Sequence, residues 1–100
     1  MKDAHQPTGS ERRRASKLYL SGAKLYEQEK FEAALKDYQQ AAELDPANQN
    51  YGMAVEIARS HAVAALIQAA AKARIQGDVQ GARAAMSRAF QIDPHNPQLA

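Results

Sequence analysis

Three histidines, the serines and two nearby glycines are the first residues to test for reactivity. His5, His61 and His95 are the only imidazoles, and no two stand four apart, the helical spacing that would set two metal ligands on one face. The chain has no cysteine, which excludes disulfides and thiolate metal sites and leaves the redox compartment open. Ser87 has no histidine close in sequence to serve as its base, and Gly77 and Gly81 lack the preceding strand of a phosphate-binding loop. Arg13, Arg14, Ala15 and Ser16 have the look of a basophilic kinase site, a pattern that arises by chance on helices. Arg12, Arg13 and Arg14 form the only basic run, so the clustered stripe of a nucleic-acid binder is missing. These residues predict no catalysis, no metal site, no cofactor and no nucleic-acid partner.

The elements that hold such residues are helical throughout. A chain of 100 residues with 45% apolar side chains makes one domain with a modest core. Its net charge of +2 hides an uneven split, eight basic and eight acidic residues up to Asn50, then five basic against three acidic. No run of 18 apolar residues occurs, so no membrane span is expected, and the first 15 residues are too polar for a secretory signal. Residues 1–10 read as a disordered lead-in, with Thr8 and Glu11 fitting a capping box at its edge and Ser10 an equally good cap. A first helix follows, ending near Gln28 to Lys30. A second runs from Phe31 to Leu44 and stops at Asp45 and Pro46, because proline disfavours the helical conformation in the residue before it.

The longest element spans about Tyr51 to Gln76. Tyr51, Ala54, Val55, Ala58, Ala62, Ala65, Leu66, Ala69 and Ala73 recur at threes and fours, one stripe of a helix with 3.6 residues per turn. Asn48 or Asn50 caps its start, Gly77 ends it in the left-handed conformation, and Asp78 caps a fourth helix over about Val79 to Gln91.

The second half copies the first. Phe31, Ala34, Leu35, Tyr38, Ala41, Leu44, Asp45 and Pro46 are answered by Val79, Ala82, Arg83, Met86, Ala89, Ile92, Asp93 and Pro94. Leu18, Gly22 and Leu25 are answered by Leu66, Ala70 and Ala73. This pattern resembles the tetratricopeptide (TPR) repeat. The resemblance implies an all-α fold of two antiparallel helical hairpins, four helices in all, with right-handed superhelical stacking. Repeat 1 would cover about 15–48 and repeat 2 about 63–96, within a domain of 11–100. Two positions depart from the family: Ser21 and Ala69 replace its usual leucine, and Glu29 stands where glycine is common. Pro94 follows Pro46 by 48 residues, against ~34 in a tandem array, so about 14 residues are inserted. They are assigned to 49–62, an N-terminal extension of the third helix, where about four turns return the stripe to nearly the same face.

By the same resemblance, a concave protein-binding face would hold Ser16, Tyr19, Ala23 and Tyr26 from the first repeat, and Ala64, Ile67, Ala71 and Arg74 from the second. Tyr19 and Ala23 occupy positions where carboxylate-gripping cochaperone repeats need lysine and asparagine, which argues against a chaperone-tail clamp. The rival reading of Tyr19 and Tyr26 is that they pack against the extended third helix. Tyr51 and Arg59 on that helix, followed by Asp93, Pro94 and Asn96, resemble the N-terminal segment of bacterial secretin-like proteins of type II and III secretion and type IV pilus machines. That likeness implies a protein or peptide partner and a place at the periplasm or outer membrane. A cytoplasmic adaptor and a homodimerisation module, the latter through Met53, Ile57 and Ala64, are the alternatives.

Overall fold

The computed structural model describes residues 6–99. Four α-helices, α1 (Gly9–Glu27), α2 (Phe31–Leu44), α3 (Gln49–Ile75) and α4 (Val79–Ile92), are followed by a short 3-10 turn, η1 (Pro97–Leu99). Among the described residues there is no strand, and the all-α, four-helix expectation holds, consistent with a TPR-like helical repeat. Half of the expected lead-in, His5 included, lies outside the described residues, and Gly9 and Ser10 already belong to α1. Two compact units divide between Ala58 and Arg59, within the unbroken α3.

In the first unit, Thr8 begins α1. Its hydroxyl accepts from the Glu11 N–H at 3.0 Å, and its own N–H donates to Glu11 Oε1 at 2.9 Å, so two backbone donors at the helix start are satisfied reciprocally. The face of α1 bearing Ala15 and Gly22 is buried against α2, which contributes Ala34, Leu35, Tyr38 and Ala41. Gly22 is required there by packing: a Cβ on it would lie 2.7 Å from Tyr38 Cε1 and 3.3 Å from the Ala34 carbonyl. Ser21, at the unusual repeat position, donates its hydroxyl to Asp37 Oδ2 at 2.6 Å and ties α1 to α2 outside the core.

The α1–α2 turn has Lys30 N–H donating to Leu25 O and Glu29 N–H to Tyr26 O, both at 2.9 Å, with Glu29 left-handed at φ 62°. This is the Schellman arrangement, which ordinarily favours glycine at that position. Glu29 therefore carries the strain of a left-handed residue other than glycine.

The first turns of α3 do not stand free in solvent. Asn48 caps the helix by accepting from the Asn50 N–H at 3.0 Å, and Tyr51, Val55 and Ala58 are buried. Tyr51 joins Ala15 and Ala41 in one core cluster, against which Leu18, Tyr19, Ala42 and Leu44 pack.

In the second unit, Ala62, Val63, Ala70 and Ala73 of α3 and Ala82 and Ala89 of α4 are buried. Ala70, Ala73 and Ala82 form a cluster that Ala85 and Met86 flank. The α3–α4 turn repeats the first, with Asp78 N–H donating to Ala73 O at 2.8 Å and Gly77 N–H to Arg74 O at 3.0 Å. Here the left-handed residue is Gly77, at φ 78°. Asp78 then caps α4, accepting from the Gly81 N–H at 2.8 Å. Gly81 leaves room for that carboxylate, which a Cβ would strike.

Candidate functional site

The first unit holds an aromatic cleft. Tyr19 stands at its centre, with ring centroids 5.5 Å from Tyr38 and 5.2 Å from Tyr51. Tyr26 packs edge-on against Phe31 at 5.3 Å. Tyr19, Tyr26 and Tyr38, with Asn50, Met53, Ala54 and Ile57 from α3, line a space of about 290 Å³. The helical period explains the set: Tyr19 and Tyr26 lie seven apart on α1, and Met53 and Ile57 four apart on α3. Tyr38 is the floor. Burial pushes its phenol above the ordinary value of 10.0, and the neighbouring Tyr19, Tyr26 and Glu27 add to the shift. The Tyr38 phenol is therefore neutral over the whole physiological range and adjoins apolar surface.

At the rim, Met53 is 60% and Ile57 49% exposed. A buried Tyr38 and half-buried Tyr19 and Tyr26, with an adaptable, solvent-facing methionine beside them, form a surface able to grip an apolar side chain while bonding a backbone through phenol oxygens.

Of the residues expected on a concave face, Tyr19 and Tyr26 share this cleft. Ala23 turns to another depression with Leu20, Ser21, Lys24 and Glu27, and Ser16 is exposed away from both. In the second unit, Ala64 and Ala71 are exposed, Ile67 is half-buried, and Arg74 borders a separate groove with Val79, Ala82, Arg83 and Met86. Sequence reasoning placed Tyr38 in the core and did not assign Asn50, Ala54 or Tyr38 to a site. The ~34-residue family step, which carries Tyr19 to Met53, was the available signal for the α3 wall. The packing of Tyr19 on Tyr51 is the contact of the rival reading, and Tyr19 nonetheless lines the cleft.

Among the described residues, no three His, Asp or Glu side chains gather as a metal site, and no helix is long and apolar enough to cross a membrane.

Helical hairpins with a small-residue crossing are an architecture found in helical-repeat proteins. Residues 22–56 match the family described as "TPR repeat", a match that supports a TPR protein. The matched span runs from the buried Gly22 through α2 to Glu56, in the first turns of α3. TPR repeats are generally non-catalytic modules that bind protein partners. No curated protein and no solved structure matched the chain.

Proposed function

We propose that this chain is a non-catalytic scaffold that binds a segment of another protein in the tyrosine cleft of its first unit. The observation behind the proposal is that a formed apolar cleft with three tyrosines has an exposed methionine and isoleucine at its edge. Tyr19 and Tyr26 serve as anchors, and Ser16 and Ala23 border the same helix. Ala64, Ile67, Ala71 and Arg74 provide further partner-facing positions in the second unit. A photo-crosslinking residue at Met53 should capture the partner in the source cell, and one at exposed Gln91 should not. Ile57→Asp should abolish the Met53 crosslink without unfolding the chain, and an unchanged crosslink would refute the assignment.

We further propose that the scaffold belongs to a bacterial secretin-like component of a type II or III secretion or type IV pilus machine. The support is the layout of Tyr51, Arg59, Asp93, Pro94 and Asn96 described above. A signal sequence before this segment and a β-rich domain after it in the full-length gene would accord with that reading. Their absence would favour a cytoplasmic adaptor. The solvent-facing Met53 and Ile57 also favour a dimer as the second reading, which sedimentation at high concentration tests.

A further inference from the structure

The 48-residue offset repeats hydrogen bonds as well as residue types. After α2, Asn48 N–H donates to Asp45 O at 3.1 Å, Tyr51 N–H to Asn48 O at 3.2 Å, and Asn50 N–H to Asn48 Oδ1 at 3.0 Å. After α4, Asn96 N–H donates to Asp93 O at 3.2 Å, Leu99 N–H to Asn96 O at 3.0 Å, and Gln98 N–H to Asn96 Oδ1 at 2.8 Å. The first of these turns launches α3, which brings Tyr51 into the core and sets Ala54 and Ile57 beside Tyr38. In the first unit, therefore, a helix lies along the α1–α2 surface.

Among the described residues, the corresponding surface of the second unit is a groove. Arg74, Val79, Ala82, Arg83 and Met86 line a groove of about 430 Å³, and 48 residues earlier their counterparts are Tyr26, Phe31, Ala34, Leu35 and Tyr38. Leu35 is 6% exposed, whereas its counterpart Arg83 is exposed, and Val79 is 62% exposed. The floor is apolar and both polar edges are cationic. Among the described residues, neither Arg74 nor Arg83 is in an ion pair. Asp78, beside Val79 in sequence, is engaged in capping α4.

We infer that this groove receives an acidic amphipathic helix from a protein partner. Its apolar residues would cover Val79, Ala82 and Met86, and its Asp or Glu side chains would meet Arg74 and Arg83. The helical form follows from what lies on the equivalent surface of the first unit. The negative charge follows from arginines standing where that unit has Tyr26 and Leu35. Guanidinium forks hold carboxylates in fixed geometry, and opposed charges exclude partners of the wrong sign. The inference rests on the chain being a protein-binding module but uses a surface separate from the tyrosine cleft.

The probe is a synthetic helix of about 18 residues, long enough to hold helical structure, with leucines at i, i+4, i+7 and i+11 and glutamates flanking them. Its twin has lysine for every glutamate. Fluorescence anisotropy with the full chain should show the acidic peptide binding at least about tenfold more tightly than its twin, and more weakly as salt rises. The double variant Arg74→Glu and Arg83→Glu, at exposed sites, should reverse the preference with an unchanged helical circular dichroism signal, and Ile57→Asp should leave it intact. Equal binding of both peptides, no binding of either, or indifference to the double variant overturns the inference. Loss with Ile57→Asp alone would place the peptide in the tyrosine cleft, overturning the inference while leaving the proposed function standing.

Discussion

The α1–α2 and α3–α4 hairpins have one backbone plan and opposite side-chain economies. The first packs a tyrosine on a glycine: Tyr38 lies over Gly22, and Tyr19 bridges Tyr38 and Tyr51. The second has Ala70 and Met86 at the equivalent positions, with alanines making its core cluster. The turns invert this order. In the first, Glu29 occupies the left-handed position and Lys30 offers no side-chain cap. In the second, Gly77 takes that conformation freely, and Asp78 bonds the Gly81 N–H. The repeat therefore tolerates either strong packing with a strained turn or light packing with a well-formed turn, because both contribute to the same small net stability.

The largest break in this comparison should come from Tyr38→Ala. Removing a ring that is 6% exposed should cost about 3–5 kcal/mol in urea unfolding, whereas Met86→Ala, at the half-buried counterpart, should cost closer to ~2 kcal/mol. Equal losses would show that the first hairpin does not depend on its aromatic contact.

Gly22→Ala comes next. Its new Cβ meets a buried ring and a backbone carbonyl, so overpacking should exceed the gain in helix propensity and leave a net loss of about 1–2 kcal/mol. The reverse exchange, Ala70→Gly, should lose about 1 kcal/mol through propensity and somewhat more through the buried methyl it removes from the cluster with Ala73 and Ala82. A stabilising Gly22→Ala in denaturant titration would mean that the tyrosine can move aside.

Glu29→Gly should stabilise the protein by about 1 kcal/mol, seen as a higher melting temperature, since it relieves a left-handed non-glycine residue. Gly77→Glu should destabilise by a similar amount, making the second turn like the first.

The smallest effect is on pH dependence. The fold favours the neutral Tyr38 phenol, so its folded value lies above the unfolded one near 10.0. The resulting stability is fully present below that pH and is lost as pH rises through the folded value. Urea midpoints should therefore fall on the alkaline side, and Tyr38→Phe should flatten that fall. An unchanged slope would mean that the phenol is better solvated than its burial indicates.

Much of the fold was legible because helix signals are local. The threes-and-fours stripe of α3, the Thr8 and Glu11 box, the stop at Asp45 and Pro46, and Gly77 followed by Asp78 each act within a few residues and were all recoverable from residue order. The site was less legible. Tyr26 and Tyr19 were singled out, but the α3 wall was not, because its contribution depends on whether the turns after Asn48 project into solvent or lie along α1 and α2. That choice turns on Tyr51 reaching Ala15 and Ala41, a contact across 36 residues of chain that no local pattern encodes.

Residue order by itself determined four helices, their duplicated spacing and the turns between them, since hydrogen bonding and periodicity operate along the chain. Tertiary structure alone decided that Gly22 must lack a side chain, that burial pushes the Tyr38 phenol above its ordinary value, and that the first turns of α3 enclose a cleft. Each of those depends on which distant surfaces exclude water from one another, a property of packing in space.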